Sequence, residues 1–394
     1  MMYFDNGATT YPKPPTVLRA MTLAMRDCGA NPGRSGHRMS LRAAEIIYRC
    51  RESVAQLFDF DKPEQVVFTC NCTAALNTVI KGVLHSGDHA VISSLEHNAV
   101  VRPLEKLREK GVTYSVAEVT EGDDEATIRA FRSQFRKNTR LVICTHASNV
   151  FGVRLPAERL AALCRLNGIL FCLDAAQTAG VVPVSLKDSC IDFLCTAGHK
   201  GLYGPMGTGV LLVNSDTVPD SLIEGGTGSF SSDKAQPSVL PDRFESGTPN
   251  LPGIAGLNAG VRFVLDRSPG RIEAYEMRLA QRFYDRLDRI GGVRLYTARP
   301  EAATHVPVIS FNIGELDSEE VAAMLDRNGV AVRAGLHCAP LAHKSYGTQE
   351  QGTVRAVMSA FNQERQIDAF AQMVKIFAKQ HEKKVAIRDS NVLE

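Results

Sequence analysis

The chain has 394 residues, 44% hydrophobic and 22% charged, with a formal net charge of +2. That length can bury a large core, so one large domain plus a smaller one is the expectation, and the near-neutral balance gives no reason to expect a nucleic-acid or polyanion surface. No apolar run is long enough to span a bilayer, no basic-then-apolar signal opens the chain, and the ten cysteines form no disulfide-like framework; a cytoplasmic protein without a membrane partner is expected.

In chain order, residues 1 to about 15 are an extended start closed by the turn cluster Tyr11-Pro-Lys-Pro-Pro15, which stiffens the entry into a helix near 16–27. A Gly/Asn/Pro-rich loop at 28–36 precedes a long amphipathic helix at about 40–58. Strands and helices then alternate. Strands are expected at 66–69, 89–93, 113–119, 141–145, 169–173, 193–196 and 209–213, and helices at 74–84, 102–110, 125–135 and 156–167. Short Val/Ile/Leu/Phe runs between helices mark buried strands of a largely parallel sheet, with ligands at the strand C-terminal ends. The pair Cys70-Asn-Cys72 has no second pair at metal-ligand spacing, so it reads as a strand end rather than a metal site.

Past residue 215 the pattern breaks. The Gly/Ser stretch 224–232 and the Pro/Asp/Ser stretch after it read as a mobile lid or partner-facing loop. A helical tract at about 251–290 leads to an α+β region: strand 305–313, helix 317–328, strands 330–333 and 352–358, and helix 363–380, with a frayed last dozen residues.

Two strand ends carry the chemistry. Leu170-Phe-Cys-Leu-Asp174-Ala-Ala-Gln177 places an acid at the end of one apolar strand. Ile191-Asp-Phe-Leu-Cys-Thr-Ala-Gly-His-Lys200 places a lysine just after the next. Alone, Lys200 reads most simply as an exposed lysine; beside Asp174 it matches what pyridoxal phosphate needs. The lysine forms a Schiff base with the cofactor, and the acid keeps the pyridine nitrogen protonated.

With Gly198-His199-Lys200-x-x-Tyr203-Gly204-Pro205-x-Gly207 added, the chain resembles the class V aminotransferase superfamily of pyridoxal-phosphate enzymes. Within it, the chain is most similar to the cysteine desulfurase and selenocysteine lyase branch, from Tyr3-Phe-Asp-Asn-Gly-Ala-Thr-Thr10 to Arg355. The resemblance implies a fold-type-I α/β enzyme. A large domain at 16–260 would hold a mostly parallel seven-stranded sheet, and a small α+β domain at 1–15 and 261–394 would carry the catalytic cysteine loop.

The resemblance also implies site residues. Val66-Val-Phe-Thr-Cys-Asn-Cys72-Thr73 leads into a helix whose first amides can hold a phosphate; Thr73 and the amide at Cys72 would grip it, with Thr73 as a plain helix cap the alternative. His199 adds a phosphate contact, while Ala197 replaces a phosphate-binding serine. His97 would stack on the pyridine and move protons, or else be a loop histidine. Asn149 and Gln177 would reach the ring hydroxyl, with Asn149 also at the substrate or else an ordinary turn residue. Arg355, a guanidinium in an apolar strand, would take the substrate carboxylate or form an internal salt bridge.

Arg333-Ala-Gly-Leu-His337-Cys338-Ala-Pro340 resembles the short, ordered catalytic loop of the desulfurases, with Arg333 and His337 expected to favour the Cys338 thiolate and Leu336 replacing a histidine. Thr248 would reach the cofactor phosphate of the partner in a homodimer, and Arg34 and His37 resemble a further partner-contributed loop or else lie in a solvated one. The implied reaction takes L-cysteine to alanine with a persulfide on Cys338, then to a sulfur-acceptor protein. A selenocysteine lyase using L-selenocysteine, a transaminase that does not use Cys338, and a non-catalytic binding scaffold are the alternatives.

Overall fold

A computed structural model describes residues 1–33, 36–187 and 189–392. In chain order the strands are β1 (Met2–Tyr3), β2 (Val66–Thr69), β3 (His89–Ser93), β4 (Thr113–Ala117), β5 (Thr139–Thr145), β6 (Leu170–Asp174), β7 (Phe193–Ala197), β8 (Gly209–Val213), β9 (Val293–Leu295), β10 (Val308–Ile313), β11 (Val330–Ala331) and β12 (Val354–Val357). The chain divides into two compact units: a larger one of Pro12–His146 and Leu155–Gly270, and a smaller one of Met1–Tyr11, Ala147–Arg154 and Arg271–Glu394.

The larger unit holds a seven-stranded sheet in the order β2-β8-β7-β6-β5-β3-β4. Its pairs are parallel except β2–β8 and β7–β8. The expected α/β class and mostly parallel sheet are therefore observed. Strands β3, β7 and β8 are buried at every residue, as a sheet covered on both faces requires, which is why their sequences run apolar without alternation. Several connecting helices start at a recognisable local signal. Asn71 and Asp123, for example, accept backbone hydrogen bonds at the starts of the Cys72–Val83 and Asp124–Ser133 helices.

The smaller unit has a three-stranded antiparallel sheet, β12-β10-β9, and a two-stranded parallel pair, β1–β11. Its core contains Phe4, Phe283, Phe311 and Phe370, with ring centroids of Phe283 and Phe370 4.5 Å apart. Burial of Phe4 is worth about 1.5–3 kcal/mol and ties the first residues of the chain to this unit.

Three features depart from the sequence reading. The tract at 251–290 is two helices, Leu251–Arg267 and Pro269–Leu287, separated at Ser268, whose φ of 62° and following proline stop the first helix. The short strand β9 and the six-residue Pro340–Ser345 helix were too brief for periodicity to reveal. The last helix runs Glu364–Val392 rather than fraying near 380. His381 lies so close to Gly314 that a Cβ there would come within 2.7 Å of its ring, so packing carries the helix past its apolar stretch.

Candidate active site

In the larger unit the site begins at two neighbouring strand ends. Asp174 closes β6, in register with Thr145 of β5 on one side and Cys195 of β7 on the other. Its carboxyl is buried; Oδ1 accepts from Ala176 N at 2.9 Å and from the Cys72 thiol at 3.6 Å. Burial pushes Asp174 above the usual carboxylate range, and its backbone bond and the charge of Lys200 oppose that shift.

Lys200 follows β7 in a tight turn. Gly198 N bonds to Thr208 O at 2.9 Å, Tyr203 N to Lys200 O at 2.8 Å and Gly204 N to Gly198 O at 2.8 Å. Tyr203 sits at φ 55°, in the left-handed region, with its side chain fully buried. The turns after β6 and β7 abut so closely that a Cβ on Gly180 would lie 2.2 Å from the Gly201 carbonyl oxygen. The glycines therefore set how near the acid-bearing and lysine-bearing segments can come.

Three further residues converge on this turn. Lys13 donates to the carbonyl of His199 at 2.6 Å, and burial pushes its amine down to about 8. Burial, then the charges of Lys200 and Lys13, pushes His199 down to about 4, which leaves a neutral imidazole suited to donating a hydrogen bond. Thr196 donates its hydroxyl proton to Ala175 O at 3.3 Å and so does not offer it in place of the serine expected at Ala197.

His97 caps the Asn98–Arg108 helix, its Nδ1 accepting from Ala99 N at 3.0 Å, so a neutral ring carries its proton on Nε2. Just before it, Glu96 is fully buried. One oxygen accepts from Ser93 Oγ at 2.5 Å and from Thr145 N at 2.7 Å, and the other has no hydrogen-bond partner. Burial pushes Glu96 up to about 8, with the nearby charge of Asp174 adding to the rise.

Asn71, not Thr73, is the cap of the Cys72–Val83 helix: its side chain accepts from Ala74 N at 2.8 Å. Thr73 is exposed in the first turn, where helices leave amides without intrahelical partners. A Cβ on Gly209 would lie 2.4 Å from the Asn71 carbonyl carbon, so β8 backs directly onto this loop. Gln177 is half-buried after β6. Thr248 is exposed on a segment anchored by Glu245, which accepts from Arg51 Nη1 at 2.8 Å and from Phe68 N at 2.7 Å. His37 caps the Arg38–Leu57 helix, Nδ1 accepting from Ser40 N at 3.2 Å, while Arg34 lies outside the described residues.

In the smaller unit, Arg355 lies on β12 between Val354 and Ala356, whose side chains enter the core; strand alternation turns Arg355 to the other face. It is 1% exposed, and burial lowers its proton affinity. Nη2 bonds Asp5 Oδ1 at 3.0 Å and Nη1 bonds Asn149 O at 2.7 Å. The internal salt bridge is therefore formed. The side-chain amide of Asn149 donates to His337 O at 2.8 Å, which ties it to the cysteine loop.

That loop is held at both ends. Arg333 and Arg355 form a β-bridge, Gly335 N bonds Ser318 Oγ at 3.3 Å and Thr353 N bonds Gly335 O at 3.2 Å. His337 and Cys338 both have positive φ, 48° and 58°, which lifts the thiol to an exposed position. Arg333 Nη2 lies 3.8 Å from the Cys338 sulfur. His337 corrects the expectation that it supplies positive charge to the thiolate. Its ring is buried and donates to Thr353 O at 3.0 Å, and burial pushes it down to about 2, so it stays neutral and anchors the loop.

Sequence reasoning missed Lys13, Glu96 and the partner of Arg355. A lysine between prolines and an acid directly after an apolar strand were available signals for the first two. Nothing local marks Asp5 as the partner of a residue 350 positions away.

Pyridoxal phosphate fits these residues. A buried carboxyl raised by desolvation suits a pyridinium proton, Lys200 is half-buried in the turn after the neighbouring strand, and a helix start backed by Gly209 suits a phosphate. A doubly wound sheet with this acid and lysine defines the pyridoxal-phosphate class of α/β enzymes. The aminotransferase class-V profile matches residues 2–370. A probable cysteine desulfurase of Methanothermobacter thermautotrophicus is 32% identical over 386 residues, 96% of this chain and 94% of that protein. One from Pyrococcus abyssi is 34% identical over 380 residues, 94% of this chain and 92% of that protein. The apo structure of a cysteine desulfurase from Thermococcus onnurineus NA1 superposes with a TM-score of 0.88 at 35% identity, covering 96% of this chain and 95% of that one. The chain belongs to the class V aminotransferase family.

Proposed function

We infer that this protein is a pyridoxal-phosphate-dependent cysteine desulfurase that converts L-cysteine to L-alanine and leaves a persulfide on Cys338. Family membership and similarity to cysteine desulfurases support the reaction class. The observation that carries the sulfur step is Cys338, an exposed thiol fixed in a left-handed turn with a guanidinium 3.8 Å from its sulfur.

Cys72, Thr73, His97, Gln177, His199 and Lys200 would hold the cofactor, and Asp174 would keep the ring nitrogen protonated. When bound, pyridoxal phosphate supplies an electron sink for the pair released at the substrate α-carbon. Lys200 binds the cofactor and carries the α-proton. Arg355 orients the substrate carboxylate, and His97 Nε2 is the second site able to exchange a proton. The Cys338 thiolate attacks the substrate sulfur. One S–S bond forms as the C–S bond breaks, its electron pair stays with carbon, and that carbon takes a proton to become the alanine methyl group.

The active unit in this reading is a homodimer to which Thr248 contributes across the interface; its exposure on an anchored segment supports that role. The persulfide passes to an acceptor protein. The ten free thiols suit a reducing cytoplasm. The cysteine loop belongs to the smaller unit. Product analysis with L-cysteine and L-selenocysteine tests the reading: alanine and protein-bound sulfur from cysteine are expected. Turnover of selenocysteine alone would make the protein a selenocysteine lyase, and transamination products would remove the role of Cys338.

A further inference from the structure

A buried guanidinium needs a counter-charge, and its loss leaves an uncompensated ion in the interior. For Arg355 that charge comes from Asp5, on a segment whose backbone is fixed from several sides. Met2 and Tyr3 pair with β11, Val357 N bonds Phe4 O at 2.7 Å, and Asn6 Nδ2 bonds Val357 O at 2.8 Å. Tyr3 Oη adds a bond to Asp5 O at 3.2 Å. The next residue but one is packed against the pair: a Cβ on Gly7 would lie 2.9 Å from Val357 Cγ2 and 3.1 Å from Arg355 Cζ, so a larger side chain there would push on the guanidinium. So close a fit makes the Asp5–Arg355 pair a built contact rather than a chance surface pair.

The donor count shows what the pair leaves over. A guanidinium has five N–H donors in a rigid fork. Asp5 takes one from Nη2 and Asn149 O takes one from Nη1, while Nε has no partner. Two single bonds to different nitrogens fix the plane of the fork and leave enough donors for a bidentate carboxylate. The same Asn149 donates to His337 O, so the plane is linked to the residue before Cys338.

We propose that Asp5 is the positioning residue of the carboxylate clamp, holding the Arg355 fork in the plane that accepts the substrate carboxylate. This rests on the reading above, in which Arg355 binds that carboxylate. Asp5 itself shares the guanidinium with the substrate and is not displaced by it.

The test uses the cofactor-loaded enzyme and the ligands L-alanine and L-alaninamide, which differ only in the carboxylate, with binding followed through cofactor absorbance. Asp5→Asn keeps an acceptor but loses the charge. It is expected to weaken L-alanine binding and raise the KM for L-cysteine by about tenfold, with L-alaninamide affinity and kcat within about twofold. Asp5→Glu, which keeps the charge, should recover part of the loss. Tighter L-alanine binding in Asp5→Asn would overturn the proposal by making Asp5 a competitor for Arg355. Equal weakening toward both ligands would overturn it by making Asp5 merely structural. Should the wild-type enzyme bind the two ligands equally, Arg355 is no carboxylate clamp, and the premise fails separately from the role of Asp5.

Discussion

The larger unit positions its acid and lysine chiefly with backbone bonds, and the smaller unit adds side-chain bonds to backbone ones to position its cation and thiol. Asp174 and Lys200 sit at the ends of adjacent hydrogen-bonded strands, in turns closed by amide–carbonyl bonds and spaced by Gly180 and Gly201. Arg355 and Cys338 depend instead on Asp5, Asn149, Thr353 and Arg333, brought together from three separate stretches of the chain. A sheet resists distortion across many bonds, so point substitutions there change chemistry more than geometry. A loop that relies on a few side-chain bonds beside its backbone ones shifts when one is lost, and its substitutions should change geometry first.

The largest effect expected from this contrast is at Lys200. Lys200→Ala should lower alanine formation by at least about four orders of magnitude while the fold survives. Hydride reduction of the cofactor-loaded wild type should place the cofactor on the Lys200 peptide. A label on Lys344, or on Lys13 with its burial-lowered amine beside the turn, would move the nucleophile.

A smaller effect is expected at Asn149. Removing the donor to His337 O in Asn149→Ala should lower persulfide formation by roughly 10- to 100-fold, through misplacement of Cys338, with the cofactor spectrum unchanged. A shifted spectrum would instead place Asn149 at the cofactor ring, the role the family resemblance implies.

The smallest effect is one of stability, at Glu96. Its carboxyl is raised from 4.5 to about 8, so its contribution is fully present below the ordinary value and is lost as pH rises through about 8. Glu96→Gln should therefore match the wild type near the acid end and become the more stable of the two at alkaline pH, by a few kcal/mol at most. Melting curves for both proteins across that range measure this. Parallel pH dependences would mean that Glu96 does not titrate as its burial requires.

The same contrast explains what the sequence disclosed. Apolar runs ending in Asp174 and Lys200 revealed the strands, the sheet and the cofactor class, because strand period and turn glycines are local. Arg355 and Cys338 were visible as unusual residues, but their surroundings were not. His337 looks like a neighbouring cation by position and is a buried neutral anchor, because its ring turns inward to Thr353. Thr73 looks like a cap and is displaced from that role by Asn71, two residues earlier. Pairings such as Asp5 with Arg355 depend on tertiary packing, which no local pattern encodes.

The central claim is that sulfur leaves cysteine onto Cys338. Of the ten cysteines Cys70 and Cys338 are exposed and Cys28 and Cys190 half-buried, and mass spectrometry can tell which of them takes the sulfur. After incubation with L-cysteine and removal of excess substrate, the Cys338 peptide should carry one added sulfur atom, in proportion to the alanine formed in the first turnover. Cys338→Ser should still exchange the substrate α-proton with solvent yet form neither alanine nor the modified peptide. Alanine released at the parental rate by Cys338→Ser, or added sulfur found on Cys70 instead, would contradict the account.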